Sequence, residues 1–586
     1  MWPQPVDPLH SLLWSTLVAV APILILGGML LSRKVAGYLA TLITLGIGLV
    51  IAIFAYGMPV KLAGLSGLYG VIDGLMPISW IVLAAIFLYN ISVASGSFSV
   101  VRQSIENITN DRRLQALLIA FCFGAFLEGS AGFGAPVAIT AGILIGLGFV
   151  PIYAASICLL ANTAPVAFGG IGIAVVTASQ LTNINANTLS RMIGHQLPLI
   201  ALIIPLWLVV IVAGWRGARA VWPAILVTGG AYAATMFLTS SYLGPSLPDI
   251  VSSIVSMLCL VGLLLVWQPK EVWRFPNEKT SVAPGKVRFS TSEIVRAWTP
   301  FLLLIVFIAN WAFSGTQALL GKYTIKIPFG LLHHGISVAG HPVDVTYSFA
   351  WLSAAGTAIF LAALLSAVLM HMSFRHVIKI AKQTLKELRR PLITIASIVG
   401  FAYVANYSGI SATLSRALSE TGRVFPLVAP LLGWLGVFIT GSDTSSNALF
   451  STVQSHTATA LGINPVLTVA SNSSGGVAAK MISPQSIAVA AAATKLTNKE
   501  GKLFRRVILH SVALVSIICL MTYLQANYLK WMIPAYKPLH APGLARFDLS
   551  DLAIIFLSLI VISALAINAR RDHPSSRSSQ SPGAAT

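Results

Sequence analysis

The chain has 586 residues, 56% of them hydrophobic and 9% charged, with a formal net charge of +20. A soluble domain carries about 25% charged residues, so this composition excludes a soluble globular protein and marks an integral membrane protein. Nucleic-acid binding is not the reading of the basic excess, because the excess is gathered in short segments between apolar runs: Arg33-Lys34, Lys270 to Arg296, Arg375 to Arg390, Lys495 to Arg506 and Arg570-Arg571. That is the positive-inside pattern of cytoplasmic loops.

In chain order the apolar runs predict spans at about 11–32, 35–56, 70–95, 114–128, 132–150, 151–178, 196–214, 221–240, 250–267, 298–313, 347–370, 392–408, 424–441, 446–461, 465–494, 507–528 and 551–568. The runs are continuous rather than alternating with period two, so helices and not barrel strands are expected to cross. Several are too short or too glycine-rich for a simple crossing of roughly 20 residues. The expected fold is an all-α polytopic membrane protein with about 12–14 transmembrane helices, in two repeat halves that contain broken or re-entrant helices.

The first 32 residues contain no Lys or Arg, which puts the N-terminus outside and the C-terminus in the cytoplasm. The same lack of a basic n-region argues against a cleaved signal peptide. Cys122, Cys158, Cys259 and Cys519 all fall in apolar spans without metal-type spacing, and read as free thiols.

The longest polar interruption divides the chain into a first transmembrane half (1–267), a cytoplasmic linker (268–297), a second transmembrane half (298–568) and a disordered cytoplasmic tail (569–586). Each half gives a small-residue break beside an acid, then a helix ending in Leu147-Gly-Phe-Val-Pro151 or Leu461-Gly-Ile-Asn-Pro465. Each is then expected to interrupt a helix with Asn and hydroxyls, at Ala161-Asn-Thr-Ala-Pro165 and Ser471-Asn-Ser-Ser-Gly-Gly476. Matching broken helices point to the midplane site of a secondary transporter. One tension stands: inverted repeats must face opposite sides, yet the basic segments 102–113 and 376–390 both read as cytoplasmic. Arg375 to Arg390 reads either as a surface-lying amphipathic helix or as a solvated loop helix, and neither implies chemistry.

Between Leu114 and Ser190 the single charged side chain is Glu128; between Val424 and Thr494 there are two, Asp443 and Lys480. Charges in apolar spans cost roughly 2.5–3.5 kcal/mol on insertion scales and usually face a cavity or a partner. Glu128 and Asp443 have three readings: proton carriers, sodium ligands helped by unwound carbonyls, or structural acceptors, with Asp443 capping N–H groups near Ser445-Ser446. Asn162, Thr163, Asn472, Ser473 and Ser474 suit the capping of mid-membrane helix starts that receive an anion; the alternative is packing by small residues. Lys480 pairs with a substrate carboxylate or an acid, or else snorkels to an interface. Asn447, Ser483 and Gln485 are weaker polar candidates. His195 with Arg191 flanks a span end and reads as interfacial. There is no Walker loop and no His pair at ligand spacing, so neither an ATP-driven pump nor a metal site or other cofactor is expected, and the protein does not read as an enzyme.

The runs Phe126-Leu-Glu-Gly-Ser-Ala-Gly-Phe-Gly-Ala-Pro-Val-Ala-Ile139, Gly441-Ser-Asp-Thr-Ser-Ser-Asn-Ala-Leu-Phe450, Ser471-Asn-Ser-Ser-Gly-Gly476 and Lys480-Met-Ile-Ser-Pro-Gln-Ser-Ile-Ala-Val489 resemble the lactate permease family. It differs from that pattern at Ser130 and Ala135, where Ala and Thr are expected, and before Lys480, where a Gly is expected. The resemblance implies uptake of L-lactate, with D-lactate and glycolate as related substrates, together with protons across a bacterial inner membrane. It also implies paired re-entrant hairpins, and relatives that often work as dimers with an elevator-like motion. In that reading Asn162, Thr163, Asn472, Ser473 and Ser474 hold carboxylate and hydroxyl, Glu128 or Asp443 carries the proton, and Lys480 balances charge. The partners are then the small carboxylate, the proton, the lipid bilayer and a second copy in a homodimer. The rival is a sodium-coupled organic-anion carrier.

Overall fold

Backbone in hydrocarbon must satisfy its own hydrogen bonds, and the apolar runs accordingly fold as helices. The computed structural model describes residues 1–32, 34–132, 135–275, 289–338, 340–496, 499–536 and 549–571. Motif positions 133 and 134, linker residues 276–288 and tail residues 572–586 lie outside the described residues. Among the described residues 11 helices are long and apolar enough to cross a membrane, or 12 if the bent pair Pro151–Ala161 and Val166–Thr182 is one span. The protein is an all-α polytopic membrane protein.

Three helices differ from expectation in an instructive way. Phe374–Ser408 is one helix of 35 residues, so the basic stretch 375–390 is the first half of the span expected at 392–408. The span expected from 347 starts at Ala355, because Thr346–Phe349 is a strand that pairs antiparallel with Ile325–Pro328. Pro465–Lys480 runs as an unbroken helix through Asn472-Ser473-Ser474, which corrects the break expected at 471–476. The break of this half comes later, at 481–483, before the helix Pro484–Ala493.

Contacts between helix ends sort them onto two faces. On one face Arg113 donates to the carbonyls of Gly217 and Glu271 at 3.3 and 2.9 Å, and the Arg112 N–H donates to the Trp273 carbonyl. The Arg112 guanidinium lies over Phe149, and that of Arg506 over Tyr153. Helix Phe374–Ser408 begins on this face too, since Asn90 donates to Thr384 and Glu387 just before the chain enters 97–113. It is the basic face. On the opposite face His195 bonds the Met532 carbonyl, and Gly422, Pro426, Gly462, Asn464 and Asn527 line one groove.

Arg112–Ser130 and Ala135–Gly146 therefore leave the basic face and return to it, whereas Phe425–Thr440 and Asp443–Ala460 leave the opposite face and return there. Each pair is a hairpin whose two ends lie on one face, and the two are inverted. The tension in the sequence resolves in helix Phe374–Ser408. It starts among basic residues on the basic face and crosses, so that the short helix following it, Ile410–Ser419, meets the second hairpin, where Ser415 bonds the Val453 carbonyl. Both basic segments lie on one face while the hairpins enter from two.

Close backbone approach holds the second hairpin to helix Pro465–Lys480. A Cβ on Gly433 would collide with the Asn472 carbonyl oxygen, and one on Gly475 with that of Pro430. Small residues at such seams allow the van der Waals packing that drives helix association in lipid. Gly475→Ala is expected to lower stability by about 1–3 kcal/mol through overpacking. Gly46→Ala, where a Cβ meets nothing within 4 Å, should change little; thermal unfolding in detergent compares the two.

Candidate functional site

Four chain interruptions converge on one cavity. The first hairpin turns beyond Ser130 through Gly132 (φ +57°). The first broken helix ends at Ala161 and resumes after a 3-10 turn at Val166–Phe168; Gly170, Ile171 and Gly172 are all left-handed, and the bend is 63°. Glycine is required at 172, where a Cβ would strike the Pro245 carbonyl. The second hairpin turns through Gly441 (φ +72°), with Ser442 capping the next helix by accepting from the Ser445 N–H at 3.3 Å. The second broken helix stops at Lys480, and Ser483 caps its continuation.

These pieces line a cavity of about 70 Å³, bounded by Glu128, Asp443, Lys480, Ser442, Thr444 and Gln485 together with the glycine-rich backbone of the first broken helix. A single water needs about 10–15 Å³, so the space admits several waters or one small organic ion. The three charged residues picked out in the sequence thus share one cavity, and all are buried: Glu128 and Asp443 are 4% exposed, Lys480 8%.

Lys480 Nζ donates to the Gly441 carbonyl at 2.7 Å. That bond ends the snorkelling alternative. It places the ammonium against the negative dipole end of helix Phe425–Thr440 and leaves two of its three donors for the cavity. Asp443 begins the next helix, whose positive dipole end favours its carboxylate. Ser442 supplies the cap, so the capping role weighed for Asp443 is filled by its neighbour. Among the described residues, Glu128 Oε2 and both oxygens of Asp443 find no hydrogen-bond partner. Both carboxylates rest on glycines: a Cβ on Gly169 would lie 2.9 Å from Glu128 Oε1, and one on Gly476 would lie 2.5 Å from Asp443 Oδ1.

The five hydroxyl and amide candidates are not among the lining residues. Asn472 accepts from Gln454 at 3.2 Å and donates to Asn447 at 2.8 Å, while Asn447 donates to Ser473 at 2.6 Å and to the Ala174 carbonyl at 3.0 Å. This network clamps the second hairpin to both broken helices. Asn162, Thr163 and Ser474 are buried, with side-chain polar atoms that have no partner among the described residues. His195 stacks on Phe237 at a helix end, as an interfacial residue does.

A wider recess of about 550 Å³ lies beside the cavity, lined by Tyr38, Arg390, Thr394, Thr440, Ser442 and Gln485 among others. Ser442 and Gln485 line both spaces. Arg390, whose guanidinium lies 5.6 Å from the Tyr38 ring, sits where the recess meets the basic face. The signal for Gln485 was weak in the sequence, and nothing there marked Tyr38 or Arg390 as neighbours of the site.

The L-lactate permease family profile matches residues 15–529. The L-lactate permease of Bacillus subtilis (strain 168) is 47% identical over 562 residues, covering 91% of this chain and 100% of the relative. This chain belongs to the L-lactate permease family. The L-lactate permease of Escherichia coli (strain K12) is 46% identical over 551 residues, with 91% of this chain and 100% of the relative covered. Glycolate permease GlcA of the same strain is 45% identical over 555 residues, with 91% and 99% covered. The family is a transport family, and the chain is accordingly a multi-pass membrane transporter.

For this permease-family site the geometry makes one expectation sharp. Gly169→Ala places a methyl against Glu128 and should cut transport about tenfold or more, since small displacements of reacting groups are costly. Uptake by vesicles with matched protein content checks this, and a thermal unfolding midpoint near wild type separates it from misfolding.

Proposed function

We propose that this protein is a symporter that takes up L-lactate and related small 2-hydroxymonocarboxylates, D-lactate and glycolate, together with protons across the bacterial inner membrane. The observation that carries the reading is a cavity lined by one lysine and two buried carboxylates, where two inverted hairpins and two broken helices meet. The relatives named L-lactate permease and glycolate permease supply the substrate class.

Charge conservation supplies the coupling. With Lys480 protonated and both acids ionised, the empty cavity carries one net negative charge. A substrate anion adds a second, in a region where unbalanced charge is expensive. One proton taken up by Glu128 or Asp443 restores the original value. Each anion therefore travels with a proton, and the proton gradient serves as driving force in place of any cofactor. Lys480 receives the carboxylate on its free donors. Asn162, Thr163 and Ser474, whose polar atoms are unpaired, are assigned to the substrate carboxylate and hydroxyl as the broken helix closes. Asn472 and Ser473 hold that arrangement through the Asn447 clamp.

The sodium-coupled rival needs carbonyl oxygens at the hairpin tip, and Lys480 already occupies the Gly441 carbonyl. This favours the proton. By the positive-inside rule the basic face is assigned to the cytoplasm, so that the N-terminus is outside, the C-terminus is inside, and the recess beside Arg390 is the cytoplasmic exit. In a homodimer, alternating access would move the hairpins against the wall formed by Gly37–Phe54 and Phe374–Ser408.

The test is uptake of labelled L-lactate into proteoliposomes under an imposed pH gradient without sodium. Accumulation is expected, and its absence, or a strict need for sodium, overturns the reading. Lys480→Met should abolish uptake. Of Glu128→Gln and Asp443→Asn, at least one should lose accumulation while retaining lactate exchange.

A further inference from the structure

On the basic face, away from the cavity, a recess of about 570 Å³ opens beside the base of the first hairpin. Its walls are the end of helix Leu197–Ala220, the start of helix Trp222–Tyr242 and the stretch 267–274 that follows helix Pro248–Val266. Arg113 lines the recess and braces these walls. Its guanidinium bonds the Gly217 and Glu271 carbonyls and pairs with Asp111, at 2.6 Å between Nη2 and Oδ2. The Trp273 N–H also donates to Asp111 Oδ2, at 3.0 Å, and the Trp273 carbonyl accepts from the Arg112 N–H. The recess is therefore a built feature of the hairpin base and not a gap between loose loops.

The charges that line it do not balance. Arg113 is neutralised by Asp111, but Arg219, Lys270 and Arg274 form no ion pair among the described residues, and the single acid of the lining is Glu271. Helix Trp222–Tyr242 begins here, and Val221 before it offers no side-chain cap. Its first N–H groups and positive dipole end add to the cations, in an arrangement that selects an anion. The recess also lies where water gives way to lipid. Trp222 is 60% exposed, and Leu265 and Val266, at the end of the neighbouring span, are 83% and 85% exposed. Trp222, Trp267 and Trp273 line the same space, and tryptophan gathers at the headgroup level of a bilayer.

We propose that this recess binds the phosphate of an anionic phospholipid from the leaflet on the basic face. Arg219, Lys270, Arg274 and the start of helix Trp222–Tyr242 hold the phosphate oxygens, the tryptophans flank the glycerol, and the acyl chains lie against Leu265 and Val266. Basic pockets between helix ends on the cytoplasmic side suit such headgroups. The two guanidiniums offer paired planar donors to phosphate, and the lysine a compact point charge. Arg113 stands in the first turn of Arg112–Ser130, the helix that carries Glu128, so a bound lipid steadies the base of the first hairpin. The inference holds whichever ion is coupled to transport.

The experiment titrates the full chain in detergent with dioleoyl phosphatidylglycerol, with phosphatidylcholine of the same acyl chains, and with inorganic phosphate. Native mass spectrometry counts the bound lipid. Phosphatidylglycerol should bind about tenfold tighter than phosphatidylcholine or better, and Arg219→Gln, Lys270→Gln and Arg274→Gln combined should remove most of that preference. The control combines Lys379→Gln, Lys382→Gln and Lys386→Gln, exposed charges of helix Phe374–Ser408 on the same face, and should keep it. A preference that survives the first triple variant, or is lost equally in the control, overturns the proposal, because diffuse charge then accounts for binding. Inorganic phosphate that displaces phosphatidylglycerol at equal concentration gives the recess to free phosphate and overturns the lipid assignment. If the triple variant does not fold, the three single variants decide: a weakened preference supports the site, and three unchanged preferences overturn it.

Discussion

A helix that stops inside a membrane leaves its last carbonyls without partners, in surroundings where each unsatisfied group costs several kcal/mol. The bond from Lys480 to the Gly441 carbonyl meets that constraint at the tip of the second hairpin, and much of the site depends on it. It explains why a lysine is tolerated in a buried span, since the ammonium supplies the donor that the backbone needs. It also fixes the ammonium beside Asp443, whose own helix begins two residues beyond Gly441. One contact thus ends a helix, places a cation and brings a carboxylate to it.

Inversion of the two hairpins follows the same economy. Broken backbone at membrane depth is tolerated where it is buried in protein or lines a polar space, so four interruptions are best placed around one cavity. Hairpins from opposite faces bring their tips together there. The glycine contacts of Gly433 with Asn472 and of Gly475 with Pro430 let the second hairpin lie flush on the helix that carries Lys480. The Asn447–Asn472 network then ties this assembly to Ala174 of the first broken helix. Packing and polar satisfaction hold the same elements.

Much of the architecture was legible because lipid imposes a simple rule on long apolar runs. The spans, the acid-bearing turns and the convergence of Glu128, Asp443 and Lys480 were readable as rare charges in apolar sequence. Asn472-Ser473-Ser474 misled for a physical reason: small and hydroxylic residues suit both a helix break and a close helix seam, and composition does not separate these. Here the seam won, because Gly433 and Gly475 need it. In the first half Gly170 and Gly172 do break the helix, where Pro245 leaves no room for a side chain. The charges of 375–390 suggested a segment apart from the span at 392–408, yet one helix runs through both, and through Pro391, without interruption.

A further buried acid, Asp249, was hidden by its address. At the end of an apolar run, between Pro248 and Ile250, an acid looks interfacial and accounts for itself as a first-turn residue favoured by the helix dipole. Only the tertiary fold shows that this end is enclosed, with Gly129 against its Cβ and Tyr232 at one oxygen. The cost of a charge in a membrane protein is therefore set by what covers it and not by its distance along a span. An acid at a helix start can be as deeply enclosed as one in mid-run.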